Sequence, residues 1–129
     1  MVKKNLPSPT EGELEILNVL WQRGPSTVRE VAEEIQKTKT SGYTTVLKLM
    51  QIMAEKGLVR RDESDRAHVY EPARPKEQTQ KQLLNSLLEK AFEGSATKLV
   101  MQALSTRRAT TEELAHIRKI LDDLEGHKR

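Results

Sequence analysis

Tyr43-Thr44-Thr45-Val46-Leu47-Lys48-Leu49-Met50 leads through Met53-Ala54-Glu55-Lys56-Gly57 into Leu58-Val59-Arg60-Arg61. Val46, Leu49, Met50 and Met53 recur at helical spacing, which predicts a helix from about Gly42 or Tyr43 to Glu55 with these four turned inward and Gly57 as its stop. After that glycine the period changes. Leu58 to Arg61, the polar group Asp62-Glu63-Ser64-Asp65, and then Ala67-His68-Val69-Tyr70 before Pro72 read as a β-hairpin. Its strands are short and its loop is charged, so it must pack on the preceding helices to be stable.

Upstream, Thr10-Glu11-Gly12-Glu13 and Thr27-Val28-Arg29-Glu30 both have the spacing of a capping box. The first predicts a helix start near Ser8 or Thr10 and precedes Leu14, Leu17, Leu20 and Trp21; the second carries Val28, Val31, Ala32 and Ile35 and fades in Lys37-Thr38-Lys39-Thr40. Gly24-Pro25 divides them. Trp21 continues an apolar face and is expected in the core. Three helices followed by a hairpin wing is the order of a winged helix-turn-helix domain, here over about residues 6 to 73.

Downstream, Pro72 and Pro75 bracket a hinge, and Lys76 to Phe92 reads as a long helix with Leu83, Leu84, Leu87, Leu88 and Phe92 on one face. Glu93-Gly94-Ser95 breaks it. A helix from Ser95 to about Leu104 carries Leu99, Val100 and Leu104, and a last one opens at a third capping box, Thr110-Thr111-Glu112-Glu113, with Leu114, Ile117, Leu121 and Leu124 behind it. A segment of this size, residues 76 to 126, cannot bury so many leucines alone. A symmetric second copy is the simplest cover, with Leu83, Leu87, Phe92, Leu99, Leu114, Ile117 and Leu121 as the dimerisation stripe. The fold class is mainly α: a winged helix with a C-terminal helical dimerisation region.

Composition agrees. Charged residues make up 32% of the 129 and aromatic ones only 3%, so the core is aliphatic and favours helices. The absence of cysteine excludes disulfides, thiolate metal sites and cysteine nucleophiles, and fits a reducing compartment. The start, Met1 to Asn5, has no apolar run behind its lysines, and no stretch approaches the length of a membrane span, so a soluble cytoplasmic protein is expected. His68, His116 and His127 are scattered, and no catalytic motif occurs; no metal, no cofactor and no enzymatic activity are expected.

Net charge is +3, but its distribution says more: from Lys37 to Arg61 there are six basic residues against one acid, Glu55. Double-stranded DNA is the partner this pattern suggests. The period that turns Val46 inward leaves Thr44, Thr45 and Lys48 outward on the third helix, where hydroxyls, methyls and an ammonium reach base edges or phosphates in a major groove. Tyr43 starts the same helix and joins them as a candidate contact. Arg60, Arg61, Arg66 and His68 lie on the hairpin, where a wing lays cations on flanking phosphates, Arg66 foremost. A winged-helix activator, a ligand-responsive regulator or a helical protein-interaction module would share much of this pattern.

Several stretches together resemble the penicillinase repressor (BlaI/MecI/CopY) family, from Leu6 to about Leu124. They are Glu13-Leu14-Glu15-Ile16-Leu17 with Leu20-Trp21 and Gly24-Pro25; Tyr43-Thr44-Thr45-Val46 with Glu55-Lys56-Gly57-Leu58-Val59; and Arg66-Ala67-His68-Val69-Tyr70. Phe92-Glu93-Gly94-Ser95, Leu99-Val100, Glu112-Glu113-Leu114 and Ile120-Leu121 continue the likeness. The resemblance implies a homodimeric repressor on a palindromic operator, released in some members when a sensor protease cuts an Asn-Phe bond. Here the matching pair is Gln102-Ala103, so that cleavage signal is missing, and without cysteine the copper-sensing cluster of other members is missing too.

Overall fold

The computed structural model describes residues 7–126; Leu6 and His127 lie outside them. Helix α1 (Glu11–Arg23) opens on a complete capping box. Glu13 N donates to Thr10 Oγ1 at 3.3 Å, and Thr10 N donates to Glu13 Oε1 at 2.9 Å. The helix ends at Gly24, whose φ of 91° lies in a region few side chains tolerate. Strand β1 (Ser26–Thr27) follows, and Thr27 then caps α2 (Val28–Gln36) through a second box with Glu30. Helix α3 (Tyr43–Lys56) ends at Gly57 in the left-handed conformation, and the chain turns directly into β2 (Val59–Asp62) and β3 (Val69–Pro72).

The three strands form one antiparallel sheet in the order β1-β3-β2. Ser26 faces Tyr70, and Val59 faces Pro72. Two details differ from the sequence expectation. Strand β1 was not foreseen, because two residues between a Gly-Pro break and a helix cap carry no periodic signal. The second wing strand starts at Val69 rather than Ala67, which leaves Arg66, Ala67 and His68 in the connection. The wing is thereby anchored on both edges of β3, which meets the marginal stability of an isolated hairpin.

The core of this part is assembled from all three helices and the sheet. Ile16, Leu17 and Leu20 of α1 meet Val28, Val31, Ala32 and Ile35 of α2, Val46, Met50 and Met53 of α3, and Leu58, Val59 and Tyr70. Leu49 and Trp21 are partly buried against this cluster, and the Trp21 indole Nε1 is buried without an acceptor among the described residues.

Helix α4 (Lys76–Ala91) follows, and the chain divides into two compact units between Leu84 and Asn85, within that helix. Thr79, on the first half of α4, is buried. The second unit holds the end of α4, α5 (Ala96–Thr106), capped by Ser95, and α6 (Thr111–Gly126), opened by a third box between Thr110 and Glu113. No described residue from Asn85 onward is buried. Phe92, Leu99, Leu114 and Ile117 are half-buried, whereas Leu87, Val100, Met101, Leu104, Ile120, Leu121 and Leu124 are exposed. No helix among the described residues is long and apolar enough to cross a membrane.

Candidate nucleic-acid interface

Helix α3 presents three stripes. Val46, Met50 and Met53 are buried; Tyr43, Leu47 and Gln51, four residues apart, line a groove toward the wing; Thr44, Thr45 and Lys48 are exposed on the remaining surface of the helix. None of these last three has a hydrogen-bond or ionic partner among the described residues beyond the helix's own backbone. The N-cap is Gly42, with no side chain to satisfy the first-turn N–H groups. This end of the helix is therefore polar, open and uncommitted.

The groove has a volume of about 590 Å³. One wall is Tyr43, Leu47 and Gln51 of α3 with Arg29 from the start of α2; the wing supplies Arg61, Arg66 and His68 opposite. The Arg29 guanidinium stands over the Tyr43 ring at 6.0 Å from its centroid. Arg61 is held in place: its bond to the Tyr70 hydroxyl, followed by its bond to Glu63 Oε2 at 2.7 Å, raises its pKa above the ordinary arginine value. Asp62 Oδ1 accepts from Ser64 Oγ at 2.7 Å and Ser64 N at 2.9 Å, which lowers its carboxyl below the usual range and tightens the wing loop. Arg66 and His68 are exposed and have no carboxylate partner among the described residues.

The structure thus places Tyr43 with Arg66 and His68 in the lining of one groove and leaves Thr44, Thr45 and Lys48 exposed on the same helix, but it separates Arg60 from the groove. Strand alternation puts Arg60 on the opposite face of the sheet from Arg61. There it lies opposite Glu71, with an Nε to Oε2 distance of 3.9 Å, and donates to the Ala73 carbonyl at 3.4 Å.

The basic run also changes meaning in three dimensions. Lys37 pairs with Glu34, Lys39 with Glu15, Lys56 with Glu13, Arg60 with Glu71 and Arg61 with Glu63. Of the six cations between Lys37 and Arg61, Lys48 alone has no acidic partner among the described residues. The fold gathers carboxylates from elsewhere in the chain around the run, and the unpaired cations on the α3 and wing side are Arg29, Lys48 and Arg66. Arg29 is a residue the sequence reading passed over. Its signal was present in the second capping box, where it stands between the inward Val28 and Val31 and so must point out.

The profile of the penicillinase repressor family matches residues 9–123. The chain belongs to that family. Among its relatives, the transcriptional regulator BlaI of Mycobacterium tuberculosis is 33% identical over 120 residues, 90% of this chain and 86% of its own. The penicillinase repressor of Bacillus licheniformis is 24% identical over 126 residues, 98% of each chain. A solution structure of monomeric B. licheniformis BlaI in complex with the blaP half-operator superposes with a TM-score of 0.50 at 27% identity, covering 57% of this chain and 90% of that one. The penicillinase repressor match runs through α3, the wing and all three C-terminal helices, and the winged-helix fold is common to this chain and the solved relative. Gln102 and Ala103 are exposed on α5.

Proposed function

We propose that the protein is a homodimeric transcriptional repressor that acts in the cytoplasm by occupying a palindromic operator in double-stranded DNA. The winged-helix region, residues 6 to 73, makes the DNA contacts, and residues 76 to 126 hold the two copies together. One observation carries the reading: Thr44, Thr45 and Lys48 stand exposed and unpartnered at the open end of α3, in a fold whose solved relative is bound to its half-operator. Thr44, Thr45 and Lys48 read base edges, with Tyr43 at the groove wall, and Arg66 and His68 lie on the flanking backbone; Arg60, paired with Glu71 on the far face of the wing, is left out of the contact set.

Dimerisation rests on the exposed leucines of the second unit. Burying a leucine contributes about 1.5 to 3 kcal/mol, so a handful shared across an interface offsets the entropy lost on association. Two recognition helices related by a two-fold axis select inverted repeats spaced by one or a few helical turns. The test is selection of fragments from random genomic DNA with the purified full-length chain, followed by footprinting. Enrichment of an inverted repeat protected over both halves supports the reading; recovery of fragments no different from the input removes it.

A further inference from the structure

Arg29, from the start of α2, is one of the cations that line the groove. Its guanidinium is 6.0 Å from the Tyr43 ring centroid, within the reach of a cation–π contact. It has no carboxylate partner among the described residues, although Glu33 lies one helical turn away on α2. That contrasts with Arg23, which is bound to Glu30 at 3.0 Å, and with the basic run described above. An arginine left out of the ion pairs that occupy its neighbours, and laid instead on an aromatic face, keeps its five donors available while losing part of its rotamer freedom.

The groove itself says what those donors meet. Arg29 and Tyr43 form one wall, Arg66 and His68 the other, and Glu63, the one acid lining it among the described residues, is already bound to Arg61. With α3 in a major groove and the wing outside it, what passes between the two is a sugar-phosphate strand. We infer that Arg29 is a phosphodiester-binding residue of this groove and that Tyr43 is its positioning residue, the ring fixing the guanidinium toward the strand. This rests on the proposed DNA-binding function and adds a contact to it.

The experiment separates the two. Affinity of the full-length protein is titrated against a mixed-sequence DNA duplex and against the selected operator over a range of salt concentrations. Each phosphate contact contributes about 0.9 to the slope of log affinity on log salt, worth roughly eightfold at 0.1 M. Arg29→Ala is expected to lower the slope by about one and affinity by about that factor on both duplexes, with the preferred sequence unchanged. Tyr43→Leu, which removes the ring and no charge, should lower the slope similarly, while Tyr43→Phe should keep it; adding Arg29→Ala to Tyr43→Leu should lower it no further. Tyr43 is 45% exposed and Arg29 is exposed, so both substitutions leave the core in place, and thermal denaturation checks this. If the parent protein binds with a steep salt slope and Arg29→Ala retains it, the inference is overturned. If Tyr43→Leu keeps the slope while Arg29→Ala loses it, the positioning role is overturned. Failure of the parent itself to bind either duplex defeats the proposed function instead.

Discussion

Lys56 Nζ lies 2.8 Å from Oε2 and 3.1 Å from Oε1 of Glu13, tying the last turn of α3 to the first turn of α1 across 43 positions of sequence. Glu13 is 2% exposed and already accepts from Thr10 N, so one carboxylate both caps α1 and fixes the angle at which α3 leaves the core. Burial pushes its pKa up, but the bond from Lys56, the bond from Thr10 N–H and the Lys56 charge together outweigh burial and hold the carboxyl below the usual range.

Glu13→Gln is therefore expected to destabilise the fold by about 1 to 3 kcal/mol at neutral pH, because a hydrogen bond to a charged group is lost and Lys56 is left unpaired. The pH dependence has a definite sign. A folded-state pKa below the unfolded value gives a contribution that is complete above the unfolded glutamate pKa of about 4.3 and is lost as pH falls through the lowered folded value. Urea denaturation of parent and variant should show a gap at pH 7 that narrows steadily in acid. A gap independent of pH would assign the loss to packing.

Thr45→Ala and Arg66→Ala should behave differently. Thr45 is exposed on α3, and its loss should relax base preference at one operator position, costing about 1 to 3 kcal/mol on the preferred site and little on others. Arg66, in the wing connection, should weaken all duplexes alike and reduce the salt slope by about one. Competition titrations against single-base operator variants read both, and an altered consensus for Arg66→Ala would reassign that residue to groove-width reading.

For the second unit the discriminating residues are Leu87 and Leu121. Leu121 is 55% exposed and Leu87 is exposed, so Leu87→Asp or Leu121→Asp should cost the single chain only about 1 to 2 kcal/mol, from the covered half of the leucine and the lower helix propensity of aspartate. Across an interface the same substitution buries an unpaired charge. Each variant is expected to sediment as a monomer and to lose about a hundredfold or more in affinity for the full palindrome while keeping half-site binding. Dimers that persist in both variants would move the interface elsewhere.

Glu93 carries a φ of 54° between α4 and α5, next to Gly94 at 77°. A side chain in the left-handed region costs about 1 kcal/mol or more, and its ion pair with Lys98 is too exposed to return much of that. Glu93→Gly should thus stabilise the chain by about 0.5 to 1 kcal/mol, after the entropy of the added glycine is counted. A rise in the thermal midpoint is the expected readout; a fall would mean that the Lys98 contact outweighs the strain.

The helical skeleton was readable because its signals are local. The boxes at Thr27 and Thr110 place two helix starts to the residue, the box at Thr10 places a third to within two, and Gly57 places one end. The 3.6-residue period of Val46, Met50 and Met53 also fixed which face of α3 stays outside. What escaped the sequence depends on pairing between distant segments. Strand β1 exists only because Ser26 and Thr27 meet Tyr70 and Val69. Arg60 and Arg61 look equivalent in the chain, yet the pleat sends one to Glu71 and the other to the groove. Likewise, Arg29 gains its place from Tyr43, fourteen positions on, and the leucine stripe as read omitted Val100, Met101, Leu104, Ile120 and Leu124, which are among the exposed apolar residues.

The self-neutralised run between Lys37 and Arg61 bears on how such a regulator finds its site in a genome. Attraction to arbitrary DNA scales with the number of cations free to displace counterions, and here most of the local ones already hold carboxylates. A lower background affinity leaves a larger fraction of a DNA-binding repressor free to search. Discrimination, which is the ratio of specific to background binding, is improved by weakening the denominator. A smaller number of repressor molecules then suffices to keep one site filled.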